Sequence, residues 1–492
     1  MTESTTGVQQ VPTASDARQA ATATRNARII WLLLIAAFVV ILNETIMSVA
    51  IPELMLDFQV DARAGQWLTT AFMLTMAVVI PITGFLLQRF NTRSIYIAAM
   101  SLFSTGTLIA ATAPIFGVLL FARVVQASGT AIMMPLLMTT LMTLVPPEKR
   151  GRTMGNVSIV ISVAPAIGPT ISGLILNALS WRWMFWFVLP IAVVMLAYGA
   201  VRMRNVTTPK RMPIDVPSVV LAAFGFGGLV YGLSRIGADD GAASATSALP
   251  MWIAFAVGGS ALVLFIVRQL LLQRSDRALL DLRTFRSSTF TVSIILMSVS
   301  MAAMFGAVIL LPIYMKQVLD LEPITIGLLL LPGGLLMGLL APGVGRLYDK
   351  IGPAPLVVPG TMIVSAALWM LAFVTATTSP WYLLAAHVTL SIGLALLFTP
   401  LFTAGLGSVQ PRFYSHGSAI IGTVQQVAGA AGTALFVTVM SVQAAALAGQ
   451  TAPVVATAGG VRAAFTVGAC ISLAAILVAF FVRKPADTET RP

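Results

Sequence analysis

About fourteen runs of roughly 20 apolar residues follow one another along this chain, with only short polar gaps between them. Nothing else in the sequence limits the fold as much. A backbone N–H or C=O inside hydrocarbon meets no water, so a spanning segment must satisfy its own hydrogen bonds. Continuous apolar runs do this as α-helices, whereas a barrel needs short alternating strands. The runs predict helices at approximately 29–52, 65–87, 94–113, 116–143, 153–178, 183–202, 216–235, 250–273, 288–312, 323–345, 355–376, 380–404, 416–443 and 462–482. The expectation is an all-α membrane protein.

Charge then gives orientation. Only 9 % of the 492 residues are charged, against roughly 25 % in soluble domains. The net charge of +12 does not imply nucleic acid, because the bases sit in short loops beside apolar spans. With the N-terminus placed in the cytoplasm, about 23 of the 29 Lys and Arg residues fall inside and about five outside. The outside set is Arg63, Arg182, Arg235, Lys316 and Arg462. The expected location is the cytoplasmic membrane of a bacterium, multi-pass, with both termini cytoplasmic.

Residues 1–28 are rich in Ser, Thr, Ala and Gln and read as a disordered cytoplasmic tail. The apolar run from Ile29 is too long for a signal-peptide core. The single cysteine, Cys470, cannot form an internal disulfide. No Walker loop, zinc spacing or nucleophile elbow is present. No metal, no cofactor and no enzymatic activity are expected.

A weak internal repeat organises the spans. Gly84-Phe85-Leu86-Leu87-Gln88-Arg89 ends the second helix, and Gly345-Arg346-Leu347-Tyr348-Asp349-Lys350 ends the tenth. Internal repeats are a common transporter plan. The expected layout is a six-helix bundle over 29–202, an inserted helix pair with its loops over 203–287, a second six-helix bundle over 288–482, and a tail over 483–492.

Few ionisable groups lie within the spans, so each counts. Glu44 lies about 12 Å, and Arg123 about 10 Å, below the outer ends of their helices. If the two helices are neighbours, Arg123 can hold Glu44 ionised or release it as the packing changes, which is how a carboxylate carries a proton. The bland alternative is a structural ion pair, or two residues bonded separately to nearby carbonyls. His387 could serve proton traffic or be a hydrogen-bonded packing residue. The small residues around Pro165, Gly168, Pro169 and Gly173 suit either a gating helix or ordinary close packing. Gln425 and Gln426 are costly in lipid and should face a cavity or another helix. Trp181, Trp183 and Trp186 read as an interfacial aromatic belt.

These residues together resemble the fourteen-helix drug–proton antiporters of the major facilitator superfamily, EmrB/QacA type, and within them the lincomycin-efflux subgroup. The resemblance spans roughly residues 29–482. Its helix-1 signature appears as Asn43-Glu44-Thr45 through Pro52, with Asn43 in the usual aspartate place and the acid moved one residue on. Its Arg-x-x-Gln signature appears as Arg123 and Gln126, and its antiporter signature as Gly168, Pro169 and Gly173. The loop signature is broken in the first half, where Gln88 replaces aspartate beside Gly84 and Arg89, and better kept in the second by Gly345, Asp349 and Lys350. The resemblance implies a major facilitator fold of two six-helix bundles plus two inserted helices. It also implies proton coupling at Glu44 and Arg123, gating at the two loop signatures, and proton-driven export of small amphipathic drugs or antibiotics. Asn43, Thr45, Gln126, Gln425, Gln426 and His387 are the candidate cavity residues. The expected partners are a small-molecule substrate, protons and the lipid bilayer, with no nucleic acid, and the chain is expected to be a monomer. The rival readings are an exporter of one native metabolite and a non-transporting membrane scaffold or sensor.

Overall fold

The structure, a computed structural model, describes residues 14–206, 208–209, 213–236 and 245–484. It is built from fourteen long helices: α1 (Ala14–Phe58), α2 (Ala62–Arg89), α3 (Thr92–Ala111), α4 (Phe116–Leu144), α5 (Arg150–Ala178), α6 (Arg182–Arg202) and α7 (Val216–Arg235), then α8 (Ala245–Leu272), α9 (Ser288–Gln317), α10 (Pro323–Ile351), α11 (Ala354–Ala372), α12 (Pro380–Gly407), α13 (Tyr414–Ala448) and α14 (Pro453–Ala479). No strand occurs among the described residues. All fourteen helices hold a stretch long and apolar enough to cross a membrane.

Three expectations need correction. α1 begins at Ala14, so residues 14–28 are helical rather than a disordered tail; the rest of the proposed tail, 1–13, lies outside the described residues, as does 485–492. Ala and Arg are good helix formers, and the preceding turns extend the span without needing apolar side chains. α14 begins at Pro453, so Arg462 is not an outer-loop residue but sits on an exposed face well inside that helix. Trp181 is only 2 % exposed, and its indole N–H donates to Asp57 Oδ2 at 2.9 Å. It is a packing residue, while Trp183 and Trp186 do face outward.

The repeat that is faint in the sequence is plain in the packing. In the first half α1 packs on α4, α5 and α6, α3 on α4 and α6, and α2 on α4. Every one of these pairs recurs eight helices later: α9 on α12, α13 and α14, α11 on α12 and α14, and α10 on α12. The halves meet along two long seams, α5 with α10 and α2 with α13. Lipid supplies no hydrophobic drive between helices, so close backbone approach at small residues holds such seams. One turn depends on a backbone that favours glycine: Gly352 closes α10 at φ +80° and ψ −173°, a region essentially only glycine occupies.

The inserted pair is α7 and α8. α7 lies across both α2 and α13, and α8 packs chiefly on α7. A polar clamp fixes the pair at the face where both chain termini emerge. Asp215 accepts two bonds from Arg268, Nε at 2.7 Å and Nη2 at 2.6 Å, and caps α7 through Ser218. The fully buried Gln269 donates to Ser218 Oγ at 2.8 Å and accepts from Leu279 N at 2.7 Å. The Arg268 guanidinium, first, and the Ser218 bonds hold Asp215 at about 2, below the usual carboxylate range. Because the folded-state value is depressed, this stabilisation is complete above about pH 4 and is lost as pH falls towards about 2. Asp215→Asn is expected to cost on the order of 2 kcal/mol locally and to speed amide exchange over 275–287. Unchanged exchange there would show that the clamp does not hold the segment.

Candidate functional site

Hydrogen bonds between the halves gather toward the terminus-bearing face. The Asp349 carboxylate accepts from Gly151 N at 2.7 Å and Arg152 N at 2.8 Å. Those are first-turn N–H groups of α5, which have no partner inside their own helix and lie at its positive end. Gly345 lets the two backbones meet, since a Cβ there would stand 2.1 Å from Gly151 O. At the other seam Gln88, the counterpart of Asp349, donates to Arg412 O at 3.1 Å. Gly84 lies beside Ala419 and Ser415. Arg89 is half-buried with its guanidinium 5.6 Å from the Phe90 ring centre, and Lys350 is exposed.

Deeper in, two buried hydroxyl pairs cross between the halves. Thr139 of α4 meets Ser418 of α13, and Ser158 of α5 meets Thr399 of α12, each at 2.7 Å. The fourth and fifth helices of each half thus exchange one bond each way. Sequence reasoning missed all four residues, because single hydroxyls in apolar helices ordinarily bond their own backbone. The one available signal was their matched place in the two repeats.

Further from the termini the α5–α10 seam runs out. Ala166 and Val163 still abut Gly334 and Gly338. A Cβ on Gly173 of α5 or on Gly327 of α10 would meet nothing within 4 Å. The proposed antiporter residues therefore divide. Gly173 borders open space and Pro165 and Pro169 are exposed, but Gly168 is buried against α1, where a Cβ would stand 2.2 Å from Thr45 Oγ1. Thr45 itself bonds Leu42 O at 2.9 Å and reaches Ala164 O at 3.5 Å. Gly168→Ala is expected to push α1 off α5 at a cost of about 1–3 kcal/mol, with Thr45→Ala recovering part of it. Thermal unfolding of the two variants checks this, and equal stability of Gly168→Ala and the parent would refute the tight crossing.

The acid sits where that seam ends, one residue before Thr45. Glu44 is half-buried and, among the described residues, forms no ion pair or hydrogen bond. Arg123 is only 2 % exposed. It donates from Nη1 to Gln126 Oε1 at 2.9 Å and lies 4.1 Å from the Phe72 ring centre, while its Nε is buried without a partner. Gln126, fully buried, donates onward to Thr107 Oγ1 at 2.8 Å. Glu44 and Arg123 feel each other's charge but do not touch, so neither the direct pair nor two carbonyl-bonded residues describes them. The guanidinium is thus held by amide and ring, and among the described residues the carboxylate has no bonded partner. Asn43 points elsewhere: it is 3 % exposed with its Nδ2 unpaired.

The other candidates are scattered. Gln425 and Gln426 are half-buried on α13. His387 lies in the α10–α12 contact, tight against Gly333, with its Nδ1 buried and unpaired. It is not joined to the Glu44–Arg123 group by any bond among the described residues. At the far end Asp57 accepts from Trp181 and, at 3.1 Å, from Arg182. The indole N–H first, then the guanidinium, holds its carboxyl below the usual range. Among the described residues no three His, Cys, Asp or Glu side chains gather as a metal site would require.

Known proteins place this architecture. The model of the Major Facilitator Superfamily matches residues 33–433. An uncharacterized MFS-type transporter, YcnB of Bacillus subtilis (strain 168), is 43 % identical over 457 residues, covering 93 % of this chain and 95 % of its own. The lincomycin resistance protein LmrB of Listeria monocytogenes is 39 % identical, covering 92 % of this chain and 95 % of its own. Among solved structures the human organic anion transporter MFSD10 superposes with a TM-score of 0.68 at 14 % identity, over 92 % of this chain and 99 % of that one.

Proposed function

The chain belongs to the Major Facilitator Superfamily, a family of membrane transporters, and from that premise we propose that it is a proton-coupled antiporter exporting small amphipathic drugs or antibiotics. The terminus-bearing face is then cytoplasmic, as the excess of Lys and Arg in its loops favours. The observation that carries the reading is Glu44: a carboxylate within the membrane-spanning region, without a bonded partner among the described residues, at the level where the α5–α10 seam parts. A charge placed there is expensive unless it is used.

The cycle follows from that placement. In the form described, the bonds at the cytoplasmic face keep it shut while the outer ends of α5 and α10 stand apart. A proton reaches Glu44 from outside and removes its attraction to Arg123. With that charge gone α1 repacks against α4 and α5, the inner seams open, and substrate enters as the proton leaves inward. Substrate and proton thus occupy alternate states of one cavity. Relatives named for lincomycin resistance and for multidrug resistance favour lincosamides and related amphiphiles as cargo.

The test is accumulation of lincosamides, dyes and quaternary amines in pump-deficient cells expressing the protein, with a protonophore added midway. The expected result is lowered accumulation that the protonophore restores. Lowered accumulation indifferent to the protonophore would exclude proton coupling, and no effect on any compound would point to export of a single native metabolite.

A further inference from the structure

One cavity lies at the inner end of the α2–α13 seam, lined by none of the Glu44–Arg123 group. It opens at the terminus-bearing face beneath the Thr139–Ser418 pair, with a volume of about 410 Å³. Gln88, Thr139, Thr143, Arg150, Arg412 and Tyr414 are among its lining residues, and no carboxylate lines it. Its two guanidinium groups belong to opposite halves of the molecule. Arg150 spends Nε and Nη2 on Val145 O and Met142 O and lies 5.5 Å from the Tyr414 ring centre. Arg412 spends only Nε, on Gln410. Among the described residues neither forms an ion pair.

Two like charges across a closed seam repel unless something of opposite sign lies between them. The second seam of the same molecule supplies that charge itself, through Asp349. At the matching place in this seam the chain has the neutral Gln88, which spends its amide on Arg412 O. We propose that a phosphate-class oxyanion occupies this cavity, bridges Arg150 to Arg412, and so holds the α2–α13 seam shut. Guanidinium groups match phosphate oxygens in shape and charge, and the Tyr414 hydroxyl of the lining can donate to a remaining oxygen. The anion is free phosphate or the phosphate of a net-anionic lipid headgroup; both present the same chemistry. The cytoplasmic gate thereby responds to the anions around it, independently of what the protein transports.

The test uses the full chain in nanodiscs of phosphatidylcholine alone, with thermal unfolding followed as inorganic phosphate rises at constant ionic strength. The expected result is a saturable rise in Tm. Arg412→Gln should weaken the apparent phosphate affinity by on the order of tenfold or more. Its backbone carbonyl, and so the Gln88 bond, is left in place. Gln88→Asp carries its own carboxylate into the cavity and should start at a higher Tm and ignore phosphate. If phosphate is inert but phosphatidylglycerol in the nanodisc raises Tm for the parent and not for Gln88→Asp, the occupant is a lipid headgroup. If neither source shifts Tm, or Arg412→Gln responds as the parent does, the cavity holds no such anion and the proposal fails.

Discussion

Glu44→Gln is expected to lower proton-driven export by roughly 5–150-fold, the span of an ordinary coupling free energy. The amide keeps the shape of the side chain and removes only the titration. Substrate binding without a gradient should therefore stay close to that of the parent. Proteoliposomes loaded with substrate and given an outward or inward pH step distinguish the two quantities. If pH-driven flux survives in Glu44→Gln, proton coupling lies elsewhere in the molecule. A companion variant sharpens the point. Asn43→Asp with Glu44→Asn moves the acid back by one residue, about 100° around the helix. Asn43 is buried at 3 % exposure, so an aspartate there meets packed helix and not the space that Glu44 faces. The double variant is expected to stay inactive; recovery of flux would mean that the direction of the acid around α1 is immaterial.

The second large effect belongs to Asp349. Asp349→Asn removes the charge from two bonds to the start of α5 at 2.7 and 2.8 Å, and charge-assisted bonds are worth about 1.5–3 kcal/mol each. A loss of roughly 1.4 kcal/mol already shifts a two-state balance tenfold. The inner ends of α5 and α10 should therefore separate in a far larger fraction of molecules. Spin labels at those ends read this as a longer distance population. Gln88→Ala removes one neutral bond, at 3.1 Å, and should move the α2–α13 distance much less. Equal responses from the two variants would contradict the unequal seams.

Much of this was legible in the residues. Length and continuity of the apolar runs fix fourteen helices because lipid offers the backbone no alternative. Charges inside those runs are so costly that Glu44 and Arg123 stand out without a structure. The rest was hidden for physical reasons. A helix continuing into water, as α1 does back to Ala14, leaves no hydropathy trace. Whether Glu44 and Arg123 touch depends on how Gln126 and Phe72 hold the guanidinium, and Phe72 lies on a different helix. Gly168 reads as one small residue among many, and only the nearness of Thr45 singles it out. The cross-half hydroxyl pairs join residues far apart in the chain whose individual preferences say nothing of each other.

The inserted pair has a consequence for how cargo dissolved in the bilayer gets in. Val230 of α7 packs in one cluster with Ala77 of α2 and Ala430 of α13, and Tyr231 stacks on Trp67 at 6.0 Å. That helix is a shutter over one flank of the transporter, so acyl chains and anything carried among them are kept from the seam between α2 and α13. Among the described residues the opposite flank has no such cover where Gly173 and Gly327 stand clear. A twofold plan with two side doors has become a one-door building, and a photoreactive lipophilic probe should mark the outer turns of α5 and α10 while sparing those of α2 and α13.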